Sequence, residues 1–281
     1  MRPSLVAFLD RLLGAGWGET LAPSYVLMLA LAMIAGALLA LFLGRRAGFD
    51  MHRGMGALLG AWVGALVGGR LLTVIVNMPD AYAAGDAALM GLRGGFAAYG
   101  GFLGGALGGW LALGRRDFLR FADLVAPSLG LGTALTRVGC FLAGCDFGAP
   151  SARPWGVRFP PGSPAFHAHL QAGWVGPYSP SSLPVHPTEL YEAALGLLIC
   201  AAALTILHLG RNAPSKGQAF LTAAGLYAVG RFAIEALRGD ADRGVAFVLS
   251  TSQIVSILLL IWIGAYLVVR HVQQSQPRPA P

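Results

Sequence analysis

Charge is scarce in this sequence. Only 12% of its 281 residues are Asp, Glu, Lys or Arg, roughly half the share of an ordinary soluble domain. Lysine is nearly missing: Lys216 stands alone beside 19 arginines. The three cysteines, Cys140, Cys145 and Cys200, are too few for a disulfide scaffold. No H-x-x-x-H, C-x-x-C or H-E-x-x-H spacing is present, so a metal site is not expected. A phosphate-binding Walker loop and a G-x-S-x-G serine elbow are absent as well. The basic residues are dispersed rather than clustered on one face, which argues against a nucleic-acid binder. What fills the chain instead is apolar: 56% hydrophobic residues and a mean hydropathy of +0.63. Forty glycines occur with no G-x-y repeat. A disordered chain, a collagen and a soluble enzyme are excluded, and an all-α polytopic membrane protein remains.

A spanning helix needs about 20 mostly apolar residues. Such blocks run over 23–43, 54–76, 94–113, 124–142, 188–209, 218–237 and 250–269, predicting about seven transmembrane helices. Ten basic residues fall in one set of connections: Arg45, Arg46, Arg53, Arg115, Arg116, Arg120, Arg211, Lys216, Arg270 and Arg278. Six fall in the other: Arg2, Arg11, Arg153, Arg158, Arg238 and Arg243. The richer side is predicted to be cytoplasmic, which places the N-terminus outside and the C-terminus inside. Residues 1–22 carry a short apolar run broken by Asp10 and Arg11, which suits an amphipathic arm on the outer membrane surface better than a signal peptide. A single transmembrane domain is expected over 23–272, with an outward head loop at 146–187 rich in Pro, Gly and aromatics, and a polar tail at 273–281.

Within the spans, glycines recur every four residues at 56, 60, 64 and 68 and again at 100, 104 and 108. Such rows make smooth ridges for close helix packing; lining a groove for a lipid chain is the alternative. Ionisable residues inside apolar spans are costly unless paired or hydrated, and each is a functional candidate. Arg70, Arg93, Arg137, Glu189, Glu192, Arg231 and Glu235 are of this kind. Internal salt bridging accounts for some of them, but three carboxylates cannot neutralise four arginines. The surplus suits an anionic phosphate ligand, whose oxygens match the guanidinium fork. His186 stands where the head loop meets the fifth span, and Glu189 and Glu192 share a face of the helix that follows. Cys140 and Cys145, five apart, lie on different helical faces, so a disulfide between them requires an intervening turn. Buried apolar thiols and a thiol activated by Arg137 are the other readings.

The segments HPTELYE (His186–Glu192), YAVGRFAIEALR (Tyr227–Arg238) and TRVGCFLAGCDFG (Thr136–Gly148) resemble the signature segments of the prolipoprotein diacylglyceryl transferases. VGGRLL at 67–72, with Arg70, Tyr25 in the first span and SQIVSI at 252–257 fall in the same order and spacing. The resemblance implies a multi-pass enzyme of the bacterial inner membrane with a periplasmic head, acting as a monomer without a cofactor. It implies transfer of a diacylglyceryl group from phosphatidylglycerol to the lipobox cysteine of a preprolipoprotein, giving a thioether and glycerol phosphate. By the same likeness Arg137, Arg231, Tyr99, Glu192 and Tyr227 are the expected catalytic residues. Tyr25, Arg70, Cys140, Cys145, Gly148, His186, Glu189, Glu235 and Arg238 are expected to bind substrate.

The chain departs from the family pattern at four polar positions. Tyr99 stands where a histidine is usual, Cys140 and Ala143 where asparagines are, and Cys145 where a glutamate is. Tyrosine is a poor base at neutral pH. The base is therefore Glu192, Glu235 or His186, or else Arg137 and Arg231 acidify the incoming thiol. Transfer to a different acceptor, chemistry at Cys140 and Cys145, and non-catalytic binding of anionic lipid are the competing functions.

Overall fold

A computed structural model of the chain describes residues 24–84, 98–210, 217–239, 245–246 and 249–275. The expected N-terminal arm, Arg93 and most of the polar tail lie outside the described residues. The elements are α1 (Ser24–Arg46), α2 (Met51–Ala84), α3 (Ala98–Ala143), α4 (Pro164–Gln171), α5 (Thr188–Leu209), α6 (Gln218–Glu235), the two-residue strands β1 (Val245–Ala246) and β2 (Leu249–Ser250), and α7 (Thr251–Ser275). The protein is an all-α polytopic membrane protein. Five helical stretches among the described residues are long and apolar enough to cross a bilayer: Tyr25–Arg46, Met51–Ile75, Asp117–Ala143, Thr188–Leu209 and Thr251–Val272. Of the other two expected spans, one begins outside the described residues and continues as the first part of α3. The other is α6, where Gln218, Arg231 and Glu235 dilute the apolar run.

The third and fourth expected spans follow one another along α3, separated by a sharp break in the helix. Gly114, at the break, has φ 70° and ψ 172°, a left-handed φ that favours glycine. The chain divides into two compact units, residues 37–124 and residues 1–36 with 125–281.

In the 37–124 unit the packing is set by glycine. A Cβ on Gly60 would come within 2.8 Å of the Gly108 carbonyl oxygen, and Cβ atoms on Gly64 and Gly68 would collide with the carbonyls of Gly104 and Gly100. The rows on α2 and the first part of α3 thus form an antiparallel seam with touching backbones, the packing alternative for these glycines. Asp50 caps α2 by accepting from the His52 and Arg53 amides at 2.8 and 3.3 Å. Arg53 pairs with Asp117 at 2.6 Å and donates to the carbonyl of Leu113, next to the Gly114 break, at 3.1 Å.

In the other unit α6 packs against α5 and α7. Ala126 of α3, Ile199 and Ala203 of α5, and Ala219 and Ala223 of α6 form a buried apolar cluster that joins these three helices. The second part of α3 crosses α5 where Gly130 and Gly196 face each other: each Cβ would come within 2.7 Å of the other's carbonyl oxygen. The head loop is ordered around its own apolar cluster of Phe147, Phe159, Ala165 and Val185. Its helix α4 is capped by Ser163, which accepts from the Phe166 amide at 3.2 Å, with Pro164 in the first turn.

Candidate functional site

Three chain segments converge at one end of the 1–36 and 125–281 unit: the end of α3, the start of α5 and the end of α6. Backbone pairing ties them. The Gly148 amide donates to His186 O at 3.0 Å, the His186 amide to Ala149 O at 3.0 Å, and the Ala149 amide to Leu237 O at 2.8 Å. Gly148 sits between the other two segments. A Cβ there would strike the His186 carbonyl and approach Leu237 O at 2.9 Å, so close backbone approach is why glycine is needed.

The backbone clamp holds a knot of charges. Glu192, 1% exposed, lies one turn into α5. Its carboxylate takes Arg137 Nε at 2.7 Å on one oxygen and Arg231 at 2.6 Å on the other, with Arg238 at 3.9 Å. Arg231 also reaches Glu235, one turn along α6, at 2.6 Å. Asp146 bridges Arg137 at 2.7 Å and Arg238 at 2.8 Å with its two oxygens. Three guanidiniums and three carboxylates therefore neutralise one another, as buried charges must.

Asp146 is a member of the knot that lies outside the apolar spans. It stands three residues beyond α3 in the left-handed region, with φ 61°. That conformation turns its side chain back toward the helix end, and aspartate tolerates it better than most residues. Thr188 secures the turn by donating to the Asp146 carbonyl at 2.9 Å. Burial pushes the Asp146 carboxyl up, but Arg137 and Arg238 outweigh burial and hold it below the ordinary carboxylate range. The only sequence signal is an acidic residue just past an apolar span that carries Arg137 in its last two turns.

The structure gathers most of the expected residues around this knot. Tyr227 interacts electrostatically with Glu192, Arg137 and Arg231, and Tyr25 with Cys140, Cys145, Arg137 and Asp146. Arg137 approaches the Cys140 sulfur at 3.9 Å. Glu189 is fully buried, and neither of its carboxylate oxygens has a hydrogen-bond partner among the described residues. His186 is engaged with Tyr191, its Nδ1 lying 3.3 Å from a hydroxyl that also accepts from Trp155 Nε1 at 2.8 Å. Arg70 and Tyr99 belong to the 37–124 unit, Arg70 within α2 and Tyr99 in the first turn of α3.

Cys140, Cys145 and Asp146 have ligand atoms within 4.8 Å of one another, the spacing of a metal site. Two arginines already occupy the Asp146 carboxylate, and their charge opposes a cation there. The arrangement is instead suited to an anion entering at the Asp146 edge. Asp146 is 33% exposed, whereas the Glu192 and Glu235 side chains are 2% and 3% exposed.

The family described as "Prolipoprotein diacylglyceryl transferase" matches residues 19–270. The chain is 33% identical over 239 residues to the phosphatidylglycerol–prolipoprotein diacylglyceryl transferase of Clostridium tetani, covering 84% of this chain and 88% of that protein. It is 32% identical over 242 residues to phosphatidylglycerol–prolipoprotein diacylglyceryl transferase 2 of Clostridium perfringens, covering 85% and 87%. To the corresponding transferase of Nitratidesulfovibrio vulgaris it is 34% identical over 213 residues, covering 74% and 73%.

Proposed function

The chain belongs to the prolipoprotein diacylglyceryl transferase family and is a transferase enzyme, and from that premise we propose the reaction and the roles of its residues. The protein transfers the diacylglyceryl group of phosphatidylglycerol to the lipobox cysteine thiol of a preprolipoprotein. The thiolate sulfur attacks the glyceryl carbon, the carbon–oxygen bond to phosphate breaks, and glycerol phosphate leaves carrying the electron pair. Negative charge thus moves from sulfur to the leaving phosphate.

The observation that carries this reading is the convergence of Arg137, Arg231 and Arg238 on Glu192 and Asp146. Fixed guanidiniums stabilise charge where it accumulates without reorganising. Asp146 is the most exposed of the three carboxylates, and the lipid phosphate takes its place against Arg137 and Arg238. Glu192 and Glu235 are each locked in ion pairs and His186 in its contact with Tyr191, so none of them is a ready base. The incoming thiol is acidified by the arginines instead, and the proton is lost to solvent at the exposed edge. The site lies at the ends of α3, α5 and α6 that the arginine count places outside, with the enzyme monomeric, its N-terminus periplasmic and its C-terminus cytoplasmic.

The test uses purified full-length protein in vesicles with a lipobox peptide. With phosphatidylglycerol present, the peptide should gain a diacylglyceryl thioether and glycerol phosphate should appear in equal amount. No thioether product from folded protein, with phosphatidylglycerol in excess, would overturn the reading.

A further inference from the structure

The turn that ends α3 does something the spacing of its cysteines does not promise. The Gly144 amide donates to Cys140 O at 2.8 Å and the Cys145 amide to the same oxygen at 3.2 Å. Gly144 has φ 76°. A left-handed glycine whose following amide returns to a carbonyl five residues back makes a Schellman-type termination, in which the flanking side chains of that five-residue pair meet. Here the pair is Cys140 and Cys145. A spacing that would separate two side chains along a continuous helix therefore brings these two together.

Three further features set the chemistry. Both thiols are free, and their sulfurs lie within 4.8 Å of each other. Cys140 is buried, 2% exposed, while Cys145 is partly open. Cys145 also donates to the Cys140 carbonyl at 3.7 Å, which holds its sulfur against the turn. The third cysteine, Cys200, lies in mid-α5, where its backbone faces Gly130.

We propose that Cys140 and Cys145 form a reversible disulfide site, oxidised by thiol–disulfide exchange with a small disulfide such as oxidised glutathione. The Cys145 thiolate attacks one donor sulfur, the donor disulfide breaks, and one donor thiolate leaves. The Cys140 thiolate then attacks the Cys145 sulfur and expels the second donor thiolate. Two protein thiols are oxidised to one disulfide, one donor disulfide is reduced to two thiols, and the two protein protons pass to the departing thiolates. The more open Cys145 is the attacking residue and the buried Cys140 the resolving one. The hydrogen bond from Cys140 lowers the Cys145 thiol below its ordinary range, which favours that order.

The experiment equilibrates purified full-length protein, on a Cys200→Ser background, with glutathione buffers of increasing oxidation. Free thiols are counted by maleimide labelling and the product is mapped by peptide mass. The expected result is joint loss of both thiols, a peptide lighter by two hydrogens, and full recovery with dithiothreitol. In the Cys140→Ser variant, Cys145 should stop at the glutathione mixed disulfide. In Cys145→Ser, Cys140 should label and glutathionylate at least tenfold more slowly. Thiols that stay free in buffers that oxidise a model dithiol would overturn the proposal. So would independent glutathionylation of both cysteines without ring closure. Every readout is thiol chemistry, so the outcome does not depend on transferase activity.

Discussion

The glycine seam of residues 37–124 and the charge knot around Glu192 solve the same problem in opposite ways. Inside a bilayer there is little hydrophobic gain in packing one apolar helix against another. The seam answers by removing side chains, so that Gly60, Gly64 and Gly68 lie against the carbonyls of Gly108, Gly104 and Gly100. Its stabilisation is dispersed over many close contacts, each worth little. The knot concentrates cost and gain in a few atoms. Each charge there would be ruinous alone and is tolerable because partners lie at 2.6–2.8 Å. A seam fails by overcrowding, whereas a knot fails by deletion.

The largest effect should therefore follow deletion at the centre of the knot. Glu192→Ala leaves Arg137 and Arg231 without their shared carboxylate, and removing one partner of a buried pair costs about 3–5 kcal/mol. Folded yield should fall steeply. Arg137→Ala, at the more open edge, should retain more protein but lose about 10²–10³-fold in transfer rate in the peptide assay. Near-normal turnover by either variant would remove the knot from the chemistry.

Overcrowding tests the seam. Gly64→Val puts atoms where the Gly104 carbonyl already is, and overpacking of this kind costs about 1–3 kcal/mol or more. Gly56 belongs to the same sequence row, yet none of the described residues lies within 4 Å of a Cβ placed on it. Thermal unfolding should show Gly64→Val lowered by several degrees and Gly56→Val almost unchanged. Equal loss in both would mean the row acts through helix propensity rather than contact.

Asp146→Asn sharpens the boundary between structure and chemistry within the knot. The amide keeps one acceptor oxygen for Arg137 or Arg238 but removes the charge, so folding should survive. If the lipid phosphate displaces this carboxylate, the KM for phosphatidylglycerol should fall, by about threefold to tenfold, while kcat changes less. An unchanged KM with reduced kcat would make Asp146 a fixed positioning group instead.

These two regions also differ in how much of them is legible in the sequence. The seam is legible because a four-residue glycine period is itself the contact geometry of a helix. The helices and the ordered head loop follow from apolar run length and composition. In the knot, Arg137, Glu192, Arg231 and Glu235 stand out because charge inside an apolar span is conspicuous. Their pairing does not, because partners such as Arg137 and Glu192 are 55 residues apart (192 − 137) and meet only through tertiary structure. Asp146 escapes notice because its role depends on a left-handed backbone just beyond the span. The meeting of Cys140 with Cys145 is hidden for the same reason: Gly144 reads as another small residue, and only its φ makes it a reversal. His186 draws attention through its motif, yet its observed contact is with Tyr191.

The smallest predicted effect lies in the head, and it uses a buried histidine where the knot uses ion pairs. His169 is 1% exposed, and its Nδ1 accepts from the Leu183 amide at 3.1 Å. The ring packs against Phe147 and Trp174, with centroids 5.7 and 5.2 Å away. An accepting Nδ1 fixes the neutral tautomer with its proton on Nε2, and a second proton on Nδ1 would face the Leu183 N–H. Burial accordingly pushes the His169 pKa down. The unfolded chain, titrating near 6.5, then binds a proton that the folded head refuses. Stability from this group is fully present above about pH 6.5 and is lost as the pH falls toward the folded value. Thermal unfolding should thus occur a few degrees lower at pH 5.5 than at pH 7.5. His169→Gln, which keeps an acceptor for Leu183 but does not titrate, should shrink that difference while costing some stability at neutral pH. An undiminished difference in the variant would assign the acid sensitivity to other groups, the ion pairs of the knot included.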